Sequence, residues 1–481
     1  MNIDKGCSII SVIIALCLSA SGLILLRVAF CSDDMAVLSP FCINAPKVPD
    51  RPAPDSMVLP AGYDRPEDIR SLGARWARYG GVEGLTWDLV EQEPGIYDWS
   101  RTDYLFSQAT QAGVNLVVII TSYNRLDQPD AVKTAVGVSA KIPRDMAGYL
   151  RFLETAVERY DGDGIDDAPN AAVVQYWEVG NEVDFPLFWS DSPENYAQLL
   201  KKTYQVIKRA NPGARVLIAG MSQQPDPNDS YQYYFSVFKE LERIKDNPRD
   251  RYFDILSLHV YNLDNALISG LTEYLAPIKA ELAQYGHDLP IWITETCDYS
   301  GSPRPLEQRN FVSRTEGEQA ANLIKIHIYS LAHGVKKIFW LTLTEWAGYA
   351  GIGNGVWDNV GLINNHVNDG QSHKKLAYYA YQKMTQKLEG TDWERVSVIQ
   401  EKDGIFIYRF FKGDRQVWVA WNDAEEKKQV NISGIVSSKV SITEMVPRYT
   451  DNISFKSETR GVRGAWVAVA LTKNPVIIEE N

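Results

Sequence analysis

Between Ser56 and Leu388 the sequence repeats one alternation eight times: a short β-branched or aromatic run, then a longer segment with apolar residues every three or four positions. A period of two belongs to a strand and a period near 3.6 to a helix, so the alternation reads as successive βαβ units around a parallel sheet. Eight units favour a closed (β/α)8 TIM barrel over an open sheet. The strand runs are Met57–Leu59, Ala74–Tyr79, Asn115–Thr121, Val173–Val179, Arg215–Ala219, Asp254–Val260, Ile291–Thr294 and Lys337–Leu343. The clearest helices are Met146–Tyr160, Pro193–Ala210, Tyr233–Lys245, Ala266–Tyr285, Glu316–Ala332 and Lys374–Leu388. Gly73, Gly113, Gly213, Gly286 and Gly334 stand between a helix and the next strand, where a left-handed residue closes the turn.

The pattern changes at both ends of this barrel. Beyond Glu389 only alternating strands remain, at Arg395–Gln400, Ile405–Phe411, Gln416–Trp421, Val430–Ile432, Lys439–Met445 and Trp466–Thr472. They read as a small β-sandwich over residues 389–481 that either binds glycan or covers the barrel; no aromatic platform stands out, which favours covering. Upstream, Ser39–Pro54 is rich in proline and reads as linker, so residues 33–55 are a lead-in and 56–388 the barrel. Within residues 1–32, an uncharged apolar stretch from Ser8 to Leu26, flanked by Lys5 and Arg27, is long enough to span a bilayer. It is either a cleaved signal peptide or an uncleaved anchor. Both imply export, to a secreted or periplasmic location or to the outer face of the membrane, and membrane contact comes only through this segment if it is kept.

A net charge of -12 without a basic patch argues against a nucleic-acid partner, because Lys and Arg supply most of the affinity for phosphates. Of the five cysteines, only Cys42 and Cys297 fall in the folded part, where they either pair or remain separate thiols. No cysteine has metal-ligand spacing, and no metal or organic cofactor is expected for the chemistry. The loop Asp161–Asp167 looks like the Asp-rich turns that ligate calcium but lacks the closing glutamate of an EF-hand. It is either a structural calcium site or a solvated turn.

Active sites of parallel barrels gather at the C-terminal ends of the strands. Strand four ends Tyr176-Trp177-Glu178-Val179-Gly180-Asn181-Glu182, and strand seven ends Ile291-Trp292-Ile293-Thr294-Glu295. Desolvating a carboxylate is costly, so two glutamates at a barrel mouth are seldom there for stability. Glycoside hydrolysis needs such a pair, one carboxyl to protonate the leaving oxygen and one to attack the anomeric carbon. Alternation along a strand also places Trp76 with Arg78, Ser257 with His259 and Tyr261, and Ile338 with Trp340, each set on one face and ending at the mouth. Glu178 shares a face with Glu182 and is a possible partner for Arg78. Asn181 and Glu182 are adjacent, so both face the mouth only if the strand end leaves the regular pleat.

On these residues the chain resembles the large superfamily of retaining (β/α)8 glycosidases that includes cellulases, mannanases, β-xylosidases and β-glucuronidases. The likeness covers Ser56 to Leu388. It implies that Glu182, in the pair Asn181-Glu182, is the acid/base and Glu295 the nucleophile. By the same likeness Asn181 hydrogen-bonds the sugar 2-hydroxyl, Arg78 holds the nucleophile ionised, and the Tyr261 hydroxyl donates to it. His259 lines the sugar site, and Trp340 floors the first subsite by stacking on the sugar. Thr121-Ser122-Tyr123-Asn124 departs from one large family of the superfamily, which has a histidine there. Trp87, Trp189, Trp346 and Trp357 lie in loops after strands two, four and eight, where they build subsites or anchor the loops.

The expectation is a glycosidase that hydrolyses β-linked oligo- or polysaccharides by double displacement, with the two glutamate pKa values pushed apart. A transglycosylase would share every residue named. A non-catalytic glycan-binding surface protein would be expected to lose one of the two glutamates, and both are present. Which sugar and which linkage is cleaved depends on loop shape, and fold alone licenses no function.

Overall fold

The computed structural model describes residues 38–44, 64–81, 83–169, 172–222, 227–263, 267–305, 310–348, 354–369, 372–449 and 452–481. The apolar export segment and Met57–Leu59 lie outside the described residues. Among the described residues, no helix is long and apolar enough to cross a membrane.

Eight parallel strands form the barrel: β1 Phe41–Asn44, β2 Trp76–Tyr79, β3 Asn115–Thr121, β4 Tyr176–Val179, β5 Arg215–Ile218, β6 Leu256–His259, β7 Ile291–Thr296 and β8 Val335–Leu341. Pairing runs from β5 through β4, β3, β2, β1, β8 and β7 to β6. Parallel bridges from Leu217 to Ile255 and from Met221 to Leu258 then join β5 to β6 and close the ring. Each strand is followed by a helix: α1 Pro66–Ser71, α2 Ser100–Gln111, α3 Met146–Arg159, α4 Pro193–Ala210, α5 Pro227–Arg243, α6 Leu267–Gln284, α7 Glu316–Ala332 and α8 Leu376–Leu388. The start of α7 illustrates why: the Thr315 hydroxyl accepts from the Glu318 amide while the Glu318 carboxylate accepts from the Thr315 amide, which satisfies two donors that a helix start otherwise leaves unpaired. Gly73, Gly113, Gly286 and Gly334 adopt the left-handed conformation anticipated for them, whereas Gly213 does not.

Strand alternation sorts side chains into two sets. Cys42, Trp76, Val117, Leu217, Ile255, Trp292 and Phe339, with Tyr176 beside them, fill the barrel interior. Ile43, Ala77, Val118, Trp177, Val216, Ile338 and Trp340 face outward into the core shared with the helices. Trp76 meets Tyr176 and Trp292 edge-on at 4.8 and 5.6 Å, and the Lys337 ammonium stands 4.0 Å over its ring. This interior is therefore a packed plug, and the residues one step further along the same strand faces, Asn44, Arg78, Glu178, Ser257 and Thr294, are polar and buried.

The first strand corrects the sequence reading, which placed residues 33–55 in a linker and began the barrel near Ser56. All four residues of Phe41–Asn44 are buried, and they pair in parallel with β8 (Ile43 to Trp340) and with β2 (Cys42 to Trp76). The prolines in the sequence around this run hide it, and Pro40, just before the strand, lacks an N–H where that costs the ladder nothing.

After α8 come β9 Ser397–Lys402, β10 Ile405–Lys412, β11 Arg415–Asn422, β12 Lys428–Ser433, β13 Lys439–Glu444, β14 Ser457–Gly461, β15 Trp466–Leu471 and β16 Val476–Glu480. Six of them form one antiparallel sheet in the order β9-β10-β11-β16-β13-β14, and β12 pairs with β15. One face of the large sheet, with Tyr408, Phe410, Val417, Val419, Trp421 and Ile477, belongs to the same apolar core as the barrel. The other face packs Ile407, Trp418 and Ile478 against Ile432, Val467 and Val469 of the small sheet. Ion pairs Lys325–Asp423 at 2.6 Å and Lys387–Glu479 at 2.5 Å fasten the module to α7 and α8. The sandwich covers the barrel, and its sheet finishes the barrel's outer core.

Phe41 is fully buried and meets Trp393 edge-on at 5.5 Å. Phe41→Ala should therefore cost about 3–5 kcal/mol in urea unfolding of the full chain, whereas a true linker residue would change stability by less than about 0.5 kcal/mol.

Candidate active site

Both glutamates reach the mouth through irregular backbone. β4 ends at Val179, and the chain then turns through Gly180 at φ 82° and Glu182 at φ 40°. A side chain at Gly180 would meet Val183 Cγ1 at 3.1 Å as well as an unfavourable φ. A non-glycine residue at φ 40° is uncommon, and such conformations persist where the surroundings impose them. Here the Tyr196 hydroxyl donates to the Val179 carbonyl at 2.8 Å and accepts from the Ala219 amide at 2.9 Å, which locks the ends of β4 and β5 together. On β7, strict alternation would put Glu295 on the outer face with Ile293. Instead the register against β6 skips from Leu258–Ile293 to His259–Glu295, and this bulge turns Glu295 inward.

One guanidinium organises the floor of the mouth. Arg78, 1% exposed, donates Nε to Glu178 Oε2 at 2.5 Å, Nη1 to Asn44 Oδ1 at 3.1 Å and to Glu295 Oε1 at 2.7 Å, and Nη2 to Asn181 Oδ1 at 2.8 Å. Glu178, fully buried, accepts with its other oxygen from the Gly220 amide at 3.0 Å and the Ser257 hydroxyl at 2.9 Å. The sequence left open whether Arg78 serves Glu178 or the nucleophile candidate; it serves both. Because Asn181 Oδ1 accepts from Arg78, the amide group of Asn181 is left as the donor end.

The remaining contacts separate the two carboxyls. Tyr261 donates to Glu295 Oε2 at 2.6 Å, and His259 Nδ1 lies 2.7 Å from Glu182 Oε1 while its Nε2 lies 3.7 Å from Glu295 Oε1. Burial pushes both carboxyls up. For Glu182 it wins, with the Glu295 and Asp184 charges adding to it and His259 offsetting part, so this carboxyl is held above the usual carboxylate range. For Glu295 the charges of His259 and Arg78 and the Tyr261 hydroxyl outweigh burial, and it is held below that range. Asp184, two residues after Glu182, accepts from the Ser222 hydroxyl at 2.8 Å and so ties the β4 loop to the β5 loop.

The structure thus brings Glu182, Glu295, Arg78, Asn181, His259 and Tyr261 together and leaves Trp340 out. Trp340 sits on the outer face of β8, fully buried, with its ring 6.2 Å from that of His327 and its indole N–H donating to the Val360 carbonyl at 3.3 Å. Its period-two partner Ile338 is outside with it, and Phe339 is the inward residue. A Trp340 floor for the sugar is therefore wrong by one residue of strand phase. His259 is also fully buried and packs on Gly220, where a Cβ would lie 2.1 Å from Nε2, so it stands behind the glutamates instead of lining the sugar site. Asn44, placed in a linker by the sequence reading, is a mouth residue that was missed; its signal was the apolar run Phe41-Cys42-Ile43 ending in a polar side chain.

Of the loop tryptophans, Trp87 and Trp189 are buried anchors, while Trp346 and Trp357 are partly exposed. Trp357 meets Tyr261 edge-on at 5.1 Å. Cys42 and Cys297 are separate buried thiols. In the Asp-rich loop before β4, Asp161 accepts from the Asp163 amide at 3.1 Å, Asp163 from the Ile165 amide at 2.8 Å and Asp167 from the Gly164 amide at 2.8 Å. That loop leads into the N-terminal end of β4, the end of the barrel opposite the mouth.

Residues 167–350 match the family model of the glycosyl hydrolase catalytic core, a span that includes Glu182, His259, Tyr261 and Glu295. No curated protein sequence matches the chain. Among solved structures, a glucosidase from Croceicoccus marinus superposes with a TM-score of 0.60 at 16% identity, over 92% of this chain and 96% of that one. The family 51 α-L-arabinofuranosidase AbfB from Bifidobacterium longum gives 0.58 at 15% identity over 90% and 92%, and a monomeric β-xylosidase from Caulobacter crescentus gives 0.57 at 15% over 86% and 91%. These likenesses span the barrel and the sandwich together, and at such low identity they speak to the fold. The family match and the glutamate pair at the strand ends make residues 167–350 a glycosyl hydrolase catalytic core carried on a (β/α)8 barrel, and the enzyme a glycosidase acting on O-glycosyl compounds.

Proposed function

We propose that this glycosidase cleaves a β-linked oligo- or polysaccharide by double displacement with retention, outside the cytoplasm, after export directed by the apolar segment Ser8–Leu26. The observation that carries the reading is the closeness of the two carboxyls: an oxygen of Glu182 and an oxygen of Glu295 lie within 4.8 Å. Retaining enzymes hold their carboxyls about 5–5.5 Å apart, whereas inverting enzymes need about 6.5–9.5 Å to seat a water between them.

The division of labour follows from the contacts. Glu295, whose ionised form is favoured by His259, Arg78 and Tyr261, attacks the anomeric carbon; Glu182, whose proton affinity is raised by burial, gives its proton to the departing oxygen. In the second step Glu182 takes a proton from water, whose oxygen displaces Glu295 from the sugar. The Asn181 amide, fixed by Arg78, donates to the sugar 2-hydroxyl as positive charge builds at the anomeric centre. The names of the structural neighbours, glucosidase, β-xylosidase and α-L-arabinofuranosidase, make hexosides and pentosides the first sugars to try.

The test is a panel of aryl β-glucosides, β-xylosides and α-L-arabinofuranosides with the matching polysaccharides. Glu295→Ala is expected to fall to background, a loss of roughly a thousandfold or more, and to recover with azide as a glycosyl azide of inverted configuration. Glu182→Ala should lose about 10²–10⁴-fold on substrates with poor leaving groups and much less on activated aryl glycosides. Release of the free sugar from an aryl glycoside with inverted anomeric configuration by the wild type would overturn retention, and cleavage of α-L-arabinofuranosides alone would overturn the β-linked assignment.

kcat/KM should follow a bell in pH. The acid limb, where Glu295 takes up a proton, is expected below the ordinary carboxyl range, and the alkaline limb, where Glu182 loses one, above it. Glu182→Gln should abolish the alkaline limb with an activated substrate; an unchanged limb would assign it to another group.

A further inference from the structure

His259 spans the two glutamates, with Nδ1 2.7 Å from Glu182 and Nε2 3.7 Å from Glu295. The ring is fully buried, and among the described residues its Nε2 has no hydrogen-bond partner. A bare lone pair on Nε2 would face the Glu295 carboxylate and be repelled, whereas an N–H there is attracted. We propose that His259 is a standing imidazolium, a positioning residue that keeps one positive charge between the acid/base and the nucleophile through both chemical steps. The proposal rests on the double-displacement reading and deepens it.

Counting charge through the cycle gives the reason. Among the groups in direct contact with the two cations, the free enzyme has Arg78 and His259 as two positive charges, Glu178 and Glu295 as two negative ones and Glu182 as the neutral acid; Asp184 stands outside this set, on the Ser222 amide and hydroxyl. When the bond from the anomeric carbon to the leaving oxygen breaks and a Glu295 oxygen bonds that carbon, the Glu182 proton goes to the leaving oxygen. Glu295 is then a neutral ester and Glu182 a carboxylate, so two charges of each sign remain. When the water oxygen bonds the anomeric carbon, the ester bond breaks and a water proton returns to Glu182. The negative charge has moved from the Nε2 side of the ring to the Nδ1 side and back, while the cation has stayed in place. A neutral imidazole would leave one buried charge uncompensated in both states, which is expensive away from water.

The charged and titratable groups around the ring are Glu182 and Asp184 in the β4 loop, Glu295 on β7, Arg78 on β2 with Glu178 behind it, and Tyr261 two residues on. Burial and Arg78 oppose the imidazolium, and the two catalytic carboxyls outweigh them, which holds His259 above the ordinary histidine range.

The test is 15N NMR of the full chain with labelled histidine. There are six histidines, and replacing the other five one at a time assigns the His259 signals while leaving the site intact. Both ring nitrogens of His259 should keep imidazolium shifts at about pH 8, where a histidine of ordinary pKa, about 6.5, is mostly neutral. A neutral His259 ring at pH 7 overturns the proposal. As a functional readout, His259→Gln keeps an N–H donor and removes the charge. It should lower kcat/KM at least about tenfold and move both limbs of the pH profile upward, because each carboxyl loses a cation; a fall with unmoved limbs would mean a purely structural role and overturn it. An imidazolium found in an enzyme whose Glu295→Ala variant forms no glycosyl azide would leave the charge of His259 standing and overturn the double-displacement reading instead.

Discussion

The mouth of this barrel depends on the placement of one buried guanidinium. Arg78 reaches Glu178 on β4, Glu295 on β7, Asn44 on β1 and Asn181 beyond β4, so a single side chain fixes the relative positions of three strand ends besides its own. A planar fork with five donors can do this, whereas an ammonium carries its charge at a single point. Its burial is tolerable because two carboxylates pair with it and because those carboxylates find further donors, the Gly220 amide and Ser257 hydroxyl for Glu178 and Tyr261 for Glu295. Breaking any one of these contacts would leave a charge in a low-dielectric place.

The packed interior below supports that network. Trp76, Tyr176 and Trp292 interlock in the layer beneath Arg78 and Glu178, two residues earlier on β2 and β4 and on the neighbouring β7. Rigid strands thus carry the charged groups. The two carboxyls themselves arrive on distorted backbone, a left-handed Glu182 beyond β4 and a bulge at Glu295 on β7. Regular pleating would have turned one of each adjacent pair away from the mouth, so the irregularities are what let neighbouring residues share one side. The sandwich contributes from the far side, closing the apolar layer over α7 and α8 so that the outer face of β8, with Trp340, stays dry.

Several features were legible before any coordinates. The eight-fold alternation, the bounds of α4 and α7, the strand ends that bear Glu182 and Glu295, and the pairing of period-two positions on β2 and β6 all follow from hydrophobic periodicity, since burial on one face writes itself into the spacing of residues. Two errors have physical causes as well. Phe41–Asn44 is too short for periodicity and is flanked by prolines that signal a loop, although proline at a strand edge is harmless. Trp340 was assigned to the correct set and the wrong side, because a period of two says which residues share a face and is silent about which face is inside.

The sequence by itself determined the barrel, its appended sandwich and the identity of the two strand-end glutamates, because these depend on local pattern and on residue chemistry. Tertiary structure decided the rest. Only the closed ring brings Arg78 to Asn44, Glu178, Asn181 and Glu295, which are 34, 100, 103 and 217 residues away along the chain. Only burial and those neighbours give two chemically identical carboxyls opposite proton affinities, and no spacing of residues in a sequence encodes the local field that does so.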